Sequence, residues 1–464
     1  MPEISVNPLI FREYDVRGLV GPDLDDSVYL RMGRAFGRYL EECSKKKASC
    51  VVGRDNRPSS TAFAQAFVNG LRAADCDVTD IGLCTTPEIY FANDFLKTTG
   101  GAAITASHNP PQYNGVKFTY QGKSAGGAHV RRIRDLVLEE PAASDGSAAT
   151  EGPAKTVDIR SDYLAALRQG APDLSGLTVV LDCGNGVSSL FAPDFMHSLG
   201  CTVVKLHCDA SKPFSVHLPD PVDPDNYADL SAAVLREKAD VGLMFDGDGD
   251  RVGAVDECGH IVTPDQLLIV FARRFLKQNP GETVVVEIKC SQAVEDDVRA
   301  HGGKAAWSAT GRTLIEDALF SQGAQLAGEM SGHFFFLDGP RPWLSESLYA
   351  ARQLLEAIRE GGPLSRQVAS MPAYVSSREY RVDVAEERKS ELVRSLVDAF
   401  RKNHDVVTLD GAKVLFADGW GLVRASNSEA KLSLRFEATS AAGLDHIMAA
   451  FREALKKEGL TAPF

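Results

Sequence analysis

The sequence is short of several things, and each shortage excludes a class. Met1-Pro2-Glu3-Ile4-Ser5 has neither the basic nor the apolar region of a secretory signal. No apolar run approaches the ~18–20 residues that a membrane-spanning helix needs. There is no C-x-x-C pair and no zinc-type spacing among the nine cysteines, an odd number scattered from Cys43 to Cys290. They read as small, mostly buried residues of a reducing compartment, so the expected location is cytoplasmic. Basic charge is also in deficit. Fifty Lys+Arg stand against 63 Asp+Glu, a net charge of −13. That balance argues against nucleic-acid and anionic-membrane partners, which need a basic surface. A small anionic substrate stays open if basic groups or a metal reverse the field locally.

What is present is a globular composition, 44% hydrophobic and 24% charged, in 464 residues. Length alone suggests roughly three domains at about 150 residues each. A strand–helix–strand pattern recurs three times. It begins at Ser49–Asp55, with Ser59 or Ser60 as a helix cap and Phe63, Phe67 and Leu71 as a buried stripe. It returns at Leu177–Asp182 with a helix closing at Gly200, then at Thr283–Ile288 with a helix from about Ser291 to Gly302. The tail differs. Tyr380, Val382 and Val384 alternate, Leu392, Leu396 and Phe400 mark an amphipathic helix, and Leu432–Phe436 reads as a cleanly alternating strand. The expected fold class is therefore α/β: three successive α/β domains with mixed, partly parallel sheets, then a C-terminal α+β domain with an antiparallel sheet. The Ala/Ser/Gly-rich stretch 141–154 marks the first boundary, giving domains at 1–153, 154–258, 259–370 and 371–464.

Four constellations carry chemistry. Asp246-Gly247-Asp248-Gly249-Asp250-Arg251 lies between two apolar strands. Alternate carboxylates repel unless a hard divalent cation joins them, and the glycines allow the backbone to curl around one point. Mg²⁺ with room for a phosphate oxygen fits best. An EF-hand calcium loop fails because Arg251 occupies the glycine position; an aspartyl-nucleophile phosphatase and a solvated acidic hairpin remain alternatives. Thr105-Ala106-Ser107-His108-Asn109-Pro110, running on to Lys117, sets a serine on a turn after a small-residue strand. Without G-x-S-x-G a serine hydrolase is disfavoured, and a serine that only caps a turn is the bland reading. A phosphorylated Ser107 would need just such a cation nearby. Gly328-Glu329-Met330-Ser331-Gly332-His333 offers mixed donors and acceptors for sugar hydroxyls, or is a surface turn. Arg424-Ala425-Ser426-Asn427-Ser428 with Arg435 suits a phosphate clamp, or is a pair of exposed strand arginines.

Together with Arg12-Glu13-Tyr14-Asp15-Val16-Arg17-Gly18, these motifs stand in the order seen in α-D-phosphohexomutases, and the resemblance covers essentially the whole chain. G-E-M-S-G-H is similar to the form of the phosphomannomutase/phosphoglucomutase branch. The resemblance implies four domains around a central cleft. It makes Ser107 the phosphoserine, which with Asp246, Asp248 and Asp250 holds one Mg²⁺ per chain. It makes Arg17, His108, Lys117, Arg251 and His333 catalytic, Lys117 and His333 moving protons. Tyr14, Lys289, Gly311, Arg312, Glu329, Ser331, Arg424, Ser426, Asn427, Ser428 and Arg435 would contact substrate. The implied reaction moves phosphate between the 1 and 6 positions of mannose or glucose phosphate, with hexose 1,6-bisphosphate as activator, in a monomer or homodimer. A phosphoglucosamine or phosphoacetylglucosamine mutase, or a catalytically weak sugar-phosphate-binding protein, are the alternatives. Arg312 stands where many relatives have His, Ala430 where they have Pro, and Ser215-Val216 and Ser345-Glu346 also depart from the family pattern.

Overall fold

The computed structural model describes residues 6–140, 154–339, 341–426 and 430–464. The chain forms two compact units, residues 1–267 with 331–369, and residues 268–330 with 370–464. Each is built from apolar strands covered by helices whose buried faces follow the helical period.

In the first unit a seven-stranded sheet has Ser49–Arg54 parallel to both Asp77–Leu83 and Gly100–Ile104. Tyr113–Tyr120 then runs antiparallel to Gly100–Ile104 and to Val16–Leu19. This reversal carries Lys117 back beside the end of Gly100–Ile104, from which the Ser107 loop departs. The helices Asp26–Ser44 and Ser60–Ala73 cover one face around Phe36, Phe67 and Phe118. Ser59 is the N-cap of the second helix but makes no capping hydrogen bond. Its hydroxyl instead accepts from Asn114 at 2.7 Å, while Ser60 donates to Asp55 at 2.5 Å. The expected serine cap is thus diverted to fix the Asp55 turn.

A second, five-stranded sheet places Val241–Phe245 parallel to Thr178–Asp182, which is in turn parallel to Thr202–Leu206. Val241–Phe245 and Val252–Asp256 are antiparallel and buried along their lengths, so the acidic motif is the turn of a core hairpin. The short pair Phe334–Phe336 and Trp343–Leu344 and the helix Ser347–Gly361 complete this unit.

The second unit holds Thr283–Glu287 in parallel with Lys304–Ser308 and Leu326–Gly328. Its tail is an antiparallel sheet in which Lys431–Ala438 pairs with Gly419–Ala425 and Gly419–Ala425 with Ala412–Phe416. The sheets are therefore mixed in three regions and antiparallel in the tail, as the pattern predicts. One expectation changes. Lys431–Ala438 alternates chemically but is buried on both faces: Leu432, Leu434 and Phe436 join the apolar core, and Ser433, Arg435 and Glu437 are buried opposite. The polar face is covered because its groups find partners. Glu437 accepts from Trp420 Nε1 at 2.9 Å and from the Gln292 amide at 2.8 Å, and Arg435 donates to the Lys289 carbonyl at 2.5 Å.

Candidate active site

The first unit concentrates its charged groups around Ser107. This residue lies in the turn after Gly100–Ile104 with φ of 53°, in the left-handed region that a residue with a Cβ rarely adopts. The surrounding structure holds it there. Its amide donates to Thr105 Oγ1 at 2.9 Å, and Arg57 Nη2 donates to its carbonyl at 2.7 Å. Arg57 also reaches the carbonyls of Asn109, Pro110 and Tyr113, and its Nε bonds Asp55. One buried guanidinium thus threads the whole loop.

The buried Ser107 hydroxyl donates to Asp246 Oδ2 at 2.7 Å. The hairpin approaches this closely because Gly247 has no Cβ, which would lie 2.4 Å from the Ser107 carbonyl, and Gly249 turns the chain at φ of 71°. Asp246, Asp248 and Asp250 are all buried, and each presents an oxygen within 4.8 Å of the others. Lys117 Nζ donates to Asp248 Oδ2 at 2.7 Å and to Asp250 Oδ2 at 2.5 Å. Thr86, the first residue of a helix closed by the Thr85–Glu88 capping box, donates its hydroxyl to Asp248 Oδ2 at 2.5 Å. Asp248 Oδ1 is buried and makes no hydrogen bond. Three crowded carboxylates, one with an unbonded buried oxygen, are the donor set a hard divalent cation takes.

The electrostatics follow from this crowding. Burial, then the charges of Asp248 and Asp250, push Asp246 well above the ordinary carboxyl range. Burial would also raise Asp248, but the Lys117 ammonium outweighs it and the carboxyl lies below its ordinary value. Arg251 donates from Nε to Asp246 at 3.1 Å, from Nη1 to Asp220 at 3.1 Å and from Nη2 to the Ser107 hydroxyl at 3.3 Å. Arg251 Nη2 also meets His108 Nδ1. Burial and the cations Arg251 and Arg17 hold His108 well below the ordinary imidazole value, hence neutral. Arg17 is fixed by Asp15 and Asn109, each at 2.6 Å. His333 Nδ1 lies 2.5 Å from Ser345 Oγ and 3.1 Å from the Asp250 carbonyl. Ser331 Oγ is buried without a hydrogen bond, and Tyr14 is half-buried in the bend before Val16–Leu19.

The second unit gathers another basic group. Lys289 Nζ is 3.4 Å from Glu379, whose carboxyl is drawn down to about 2; burial opposes the shift and the lysine overrides it. Arg424 and Arg435 are both buried and lie on one face of adjacent strands, since Leu422 pairs with Arg435. Arg424 Nε donates to Asp410 at 2.8 Å, and the Ser426 carbonyl accepts from Lys389 at 2.7 Å. Asn427 and Ser428 lie outside the described residues. Glu329 is buried next to Met330, whose amide reaches Glu287 Oε2 at 3.5 Å. Gly311 caps the helix Arg312–Gln322, and Arg312 Nε pairs with Glu316 at 3.2 Å on the same helix.

The sequence reading overlooked Arg57, Thr86 and Asp220, and took Ser345 only as a departure from the family pattern. Only Arg57 left a signal, the polar Arg54-Asp55-Asn56-Arg57 run at a strand end.

The chain matches four family descriptions in succession: "Phosphoglucomutase/phosphomannomutase, alpha/beta/alpha domain I" over residues 8–143, domain II over 161–259, domain III over 263–374 and the C-terminal domain over 379–454. It is 38% identical over 461 residues to a phosphomannomutase/phosphoglucomutase of Pseudomonas aeruginosa, covering 98% of this chain and 97% of that protein. A phosphoglucomutase of Neisseria gonorrhoeae is 34% identical over 459 residues, 97% of this chain and 98% of its own. The crystal structure of a phosphoglucomutase/phosphomannomutase family protein from Burkholderia thailandensis superposes with a TM-score of 0.89 at 34% identity, covering 99% of this chain and all of its own.

Proposed function

Because the chain belongs to the phosphoglucomutase/phosphomannomutase family, we propose that it moves phosphate reversibly between the 1 and 6 positions of mannose or glucose phosphate, through phosphoserine at Ser107 and a hexose 1,6-bisphosphate. It is a phosphohexomutase, an isomerase. The observation that carries the assignment of Ser107 is its hydroxyl, 2.7 Å from Asp246 in a buried trio of carboxylates and flanked by Arg251 and Lys117.

Phosphoryl transfer depends on positioning and charge neutralisation more than on covalent steps supplied by the protein. Asp246, Asp248 and Asp250, with an oxygen of the phosphoserine, would hold one Mg²⁺, which supplies charge neutralisation at the transferring phosphate. Arg251, anchored by Asp246 and Asp220, directs its remaining guanidinium nitrogen at the Ser107 oxygen. Neutral His108 lies beside the same atom, and Arg17 bonds Asn109 in the same loop. Lys117 and His333 take and return the proton of the sugar hydroxyl. Glu329 and Ser331 read the sugar hydroxyls, with Tyr14, Lys289, Gly311 and Arg312 completing the contact surface. Arg424, Ser426, Asn427, Ser428 and Arg435 clamp the phosphate that is not transferred. We read the domains as 1–153, 154–258, 259–370 and 371–464. Hexose 1,6-bisphosphate serves as activator. The nine free cysteines, and helices among the described residues none of which is long and apolar enough to cross a membrane, support a cytoplasmic location.

A coupled assay with Mg²⁺ and catalytic bisphosphate, run across mannose, glucose and N-acetylglucosamine 1-phosphates, tests the reading. Conversion of the first two to 6-phosphates is expected, with Ser107→Ala abolishing turnover. Full activity of Ser107→Ala overturns the phosphoserine assignment, and turnover confined to the amino sugar overturns the substrate assignment.

A further inference from the structure

Sequence spacing shows no transition-metal site, yet the fold brings three potential ligands together outside the carboxylate trio. Asp182 ends the strand Thr178–Asp182, His207 follows the adjacent parallel strand Thr202–Leu206, and His217 lies ten residues further along the same loop. Each presents one ligand atom, and the three atoms lie within 4.8 Å of one another. His217 Nε2 is 3.1 Å from Asp182 Oδ2. That separation suits two donors sharing one ion at bond lengths of about 2.0–2.2 Å.

The surroundings fix each donor. Asp182 Oδ1 accepts from the Gly184 amide at 2.8 Å, which leaves Oδ2 facing His217. His217 Nδ1 is 2.9 Å from the Leu218 carbonyl, so an ion that displaced the Nε2 proton now facing Asp182 would find the ring held by its Nδ1 hydrogen bond. His207 Nε2 is 3.1 Å from Asp229 Oδ2, a carboxylate that orients the ring from outside the trio. The backbone at His207 is held at φ of 49°, and its carbonyl accepts from the Asn185 amide at 2.7 Å. The Asn185 side chain in turn accepts from Asp209 N at 2.8 Å, closing the loop on the strand end. Asp182 is fully buried, whereas the imidazoles keep 17% and 13% of their surface open. An ion could therefore enter without unfolding.

We propose that Asp182, His207 and His217 form a binding site for a zinc-class divalent transition metal, separate from the carboxylate trio that faces Ser107. Imidazole with one carboxylate selects zinc-like ions over magnesium, which prefers oxygen alone. Three protein ligands and partial exposure describe a site with a coordination position left for water. The bound ion ties the end of one strand to the loop 207–217.

The test uses the full-length protein in excess Mg²⁺, which fills the carboxylate trio, with Zn²⁺ titrated against a chromophoric chelator. One equivalent of Zn²⁺ is expected in the wild type. His207→Gln and His217→Gln should each weaken it by about tenfold or more, in step with the loss of ligands. A second readout does not need the variants: carbethoxylation of His207 and His217, mapped by mass, should be suppressed by Zn²⁺ and not by Mg²⁺. Equal Zn²⁺ binding in all three proteins, or no Zn²⁺ protection of the two histidines, overturns the proposal and leaves a hydrogen-bonded cluster only. Mutase activity is not the readout, so failure here is distinct from failure of the phosphoserine assignment.

Discussion

Glu346 illustrates how one residue can set a pH dependence. It is buried at the head of the helix Ser347–Gly361, accepts from the Tyr163 hydroxyl at 2.6 Å and from the Leu348 amide at 3.0 Å, and has Glu88 and Asp250 nearby. Burial is the largest influence, and with the two acids it outweighs the hydrogen bonds to push the carboxyl up to about 8. Unfolded, the same group titrates near 4.5, so between these values the native state binds more protons. Stability from this group is fully present below pH 4.5 and is lost as pH rises through 8, at about 1.4 kcal/mol per unit. In Glu346→Gln the amide oxygen can accept from Leu348 while the amide nitrogen faces Tyr163. The melting temperature of this variant should fall less between pH 5.5 and 8 than that of the wild type; parallel curves would refute the assignment. Such a residue is not legible in sequence, because Glu346 resembles any helix-capping glutamate until Tyr163 and Asp250 are folded around it. Asp246, Asp248 and Asp250 were legible for the opposite reason. Their proximity is local, set by alternate positions on one hairpin turn, whereas Arg57 acts on carbonyls 50 to 56 residues away.

At the scale of the element, the C-terminal sheet owes its second buried face to a stack of cation and aromatic groups. Lys413 pairs with Leu422 across adjacent strands, and its ammonium lies 3.8 Å from the Trp307 ring centroid and 4.3 Å from that of Trp420. Trp420 also bonds Glu437 and packs with Ile288 and Leu422. Truncating Trp420 removes a buried ring and the donor that satisfies a buried carboxylate, so Trp420→Ala should cost about 3–5 kcal/mol in chemical denaturation. Trp420→Phe, which keeps a ring beneath the lysine, should cost less. Equal effects would mean that the stack contributes nothing. Burial lowers Lys413 to about 8, against the pull of Glu437 and neighbouring acids. Its contribution therefore has the opposite sign to that of Glu346: stability recovers as pH rises from 8 toward the ordinary lysine value of 10.5, and Lys413→Met should remove that recovery. The strand–helix periods announced these elements correctly. They did not announce the burial of both faces of Lys431–Ala438, since a polar row of Ser433, Arg435 and Glu437 reads as solvent-facing until its partners are known.

For the whole molecule, the placement of the net charge of −13 matters more than its sum. Three of its carboxyl groups are buried together in the first unit, where Lys117 and Arg251 compensate them directly. This makes the folded state a reservoir of carboxylate repulsion that a cation relieves, and folding and metal binding become linked. A divalent ion bound only by the native trio stabilises the protein by RT ln(1 + [L]/Kd), about 2.7 kcal/mol at a hundredfold excess over Kd. Adding Mg²⁺ should raise the melting temperature and EDTA should reverse it. The gain in hydrogen-exchange protection should concentrate at residues 85–88, 104–117 and 246–252, and spare the strands Ala412–Phe416 and Lys431–Ala438 of the second unit. Asp248→Asn removes one of the three carboxyl groups and keeps an oxygen for Thr86 and Lys117. It should be as stable as the wild type or more so without metal, yet gain little from Mg²⁺. A variant that is destabilised without metal and still gains the full Mg²⁺ increment would show that the trio is held by its lysine and arginine partners alone.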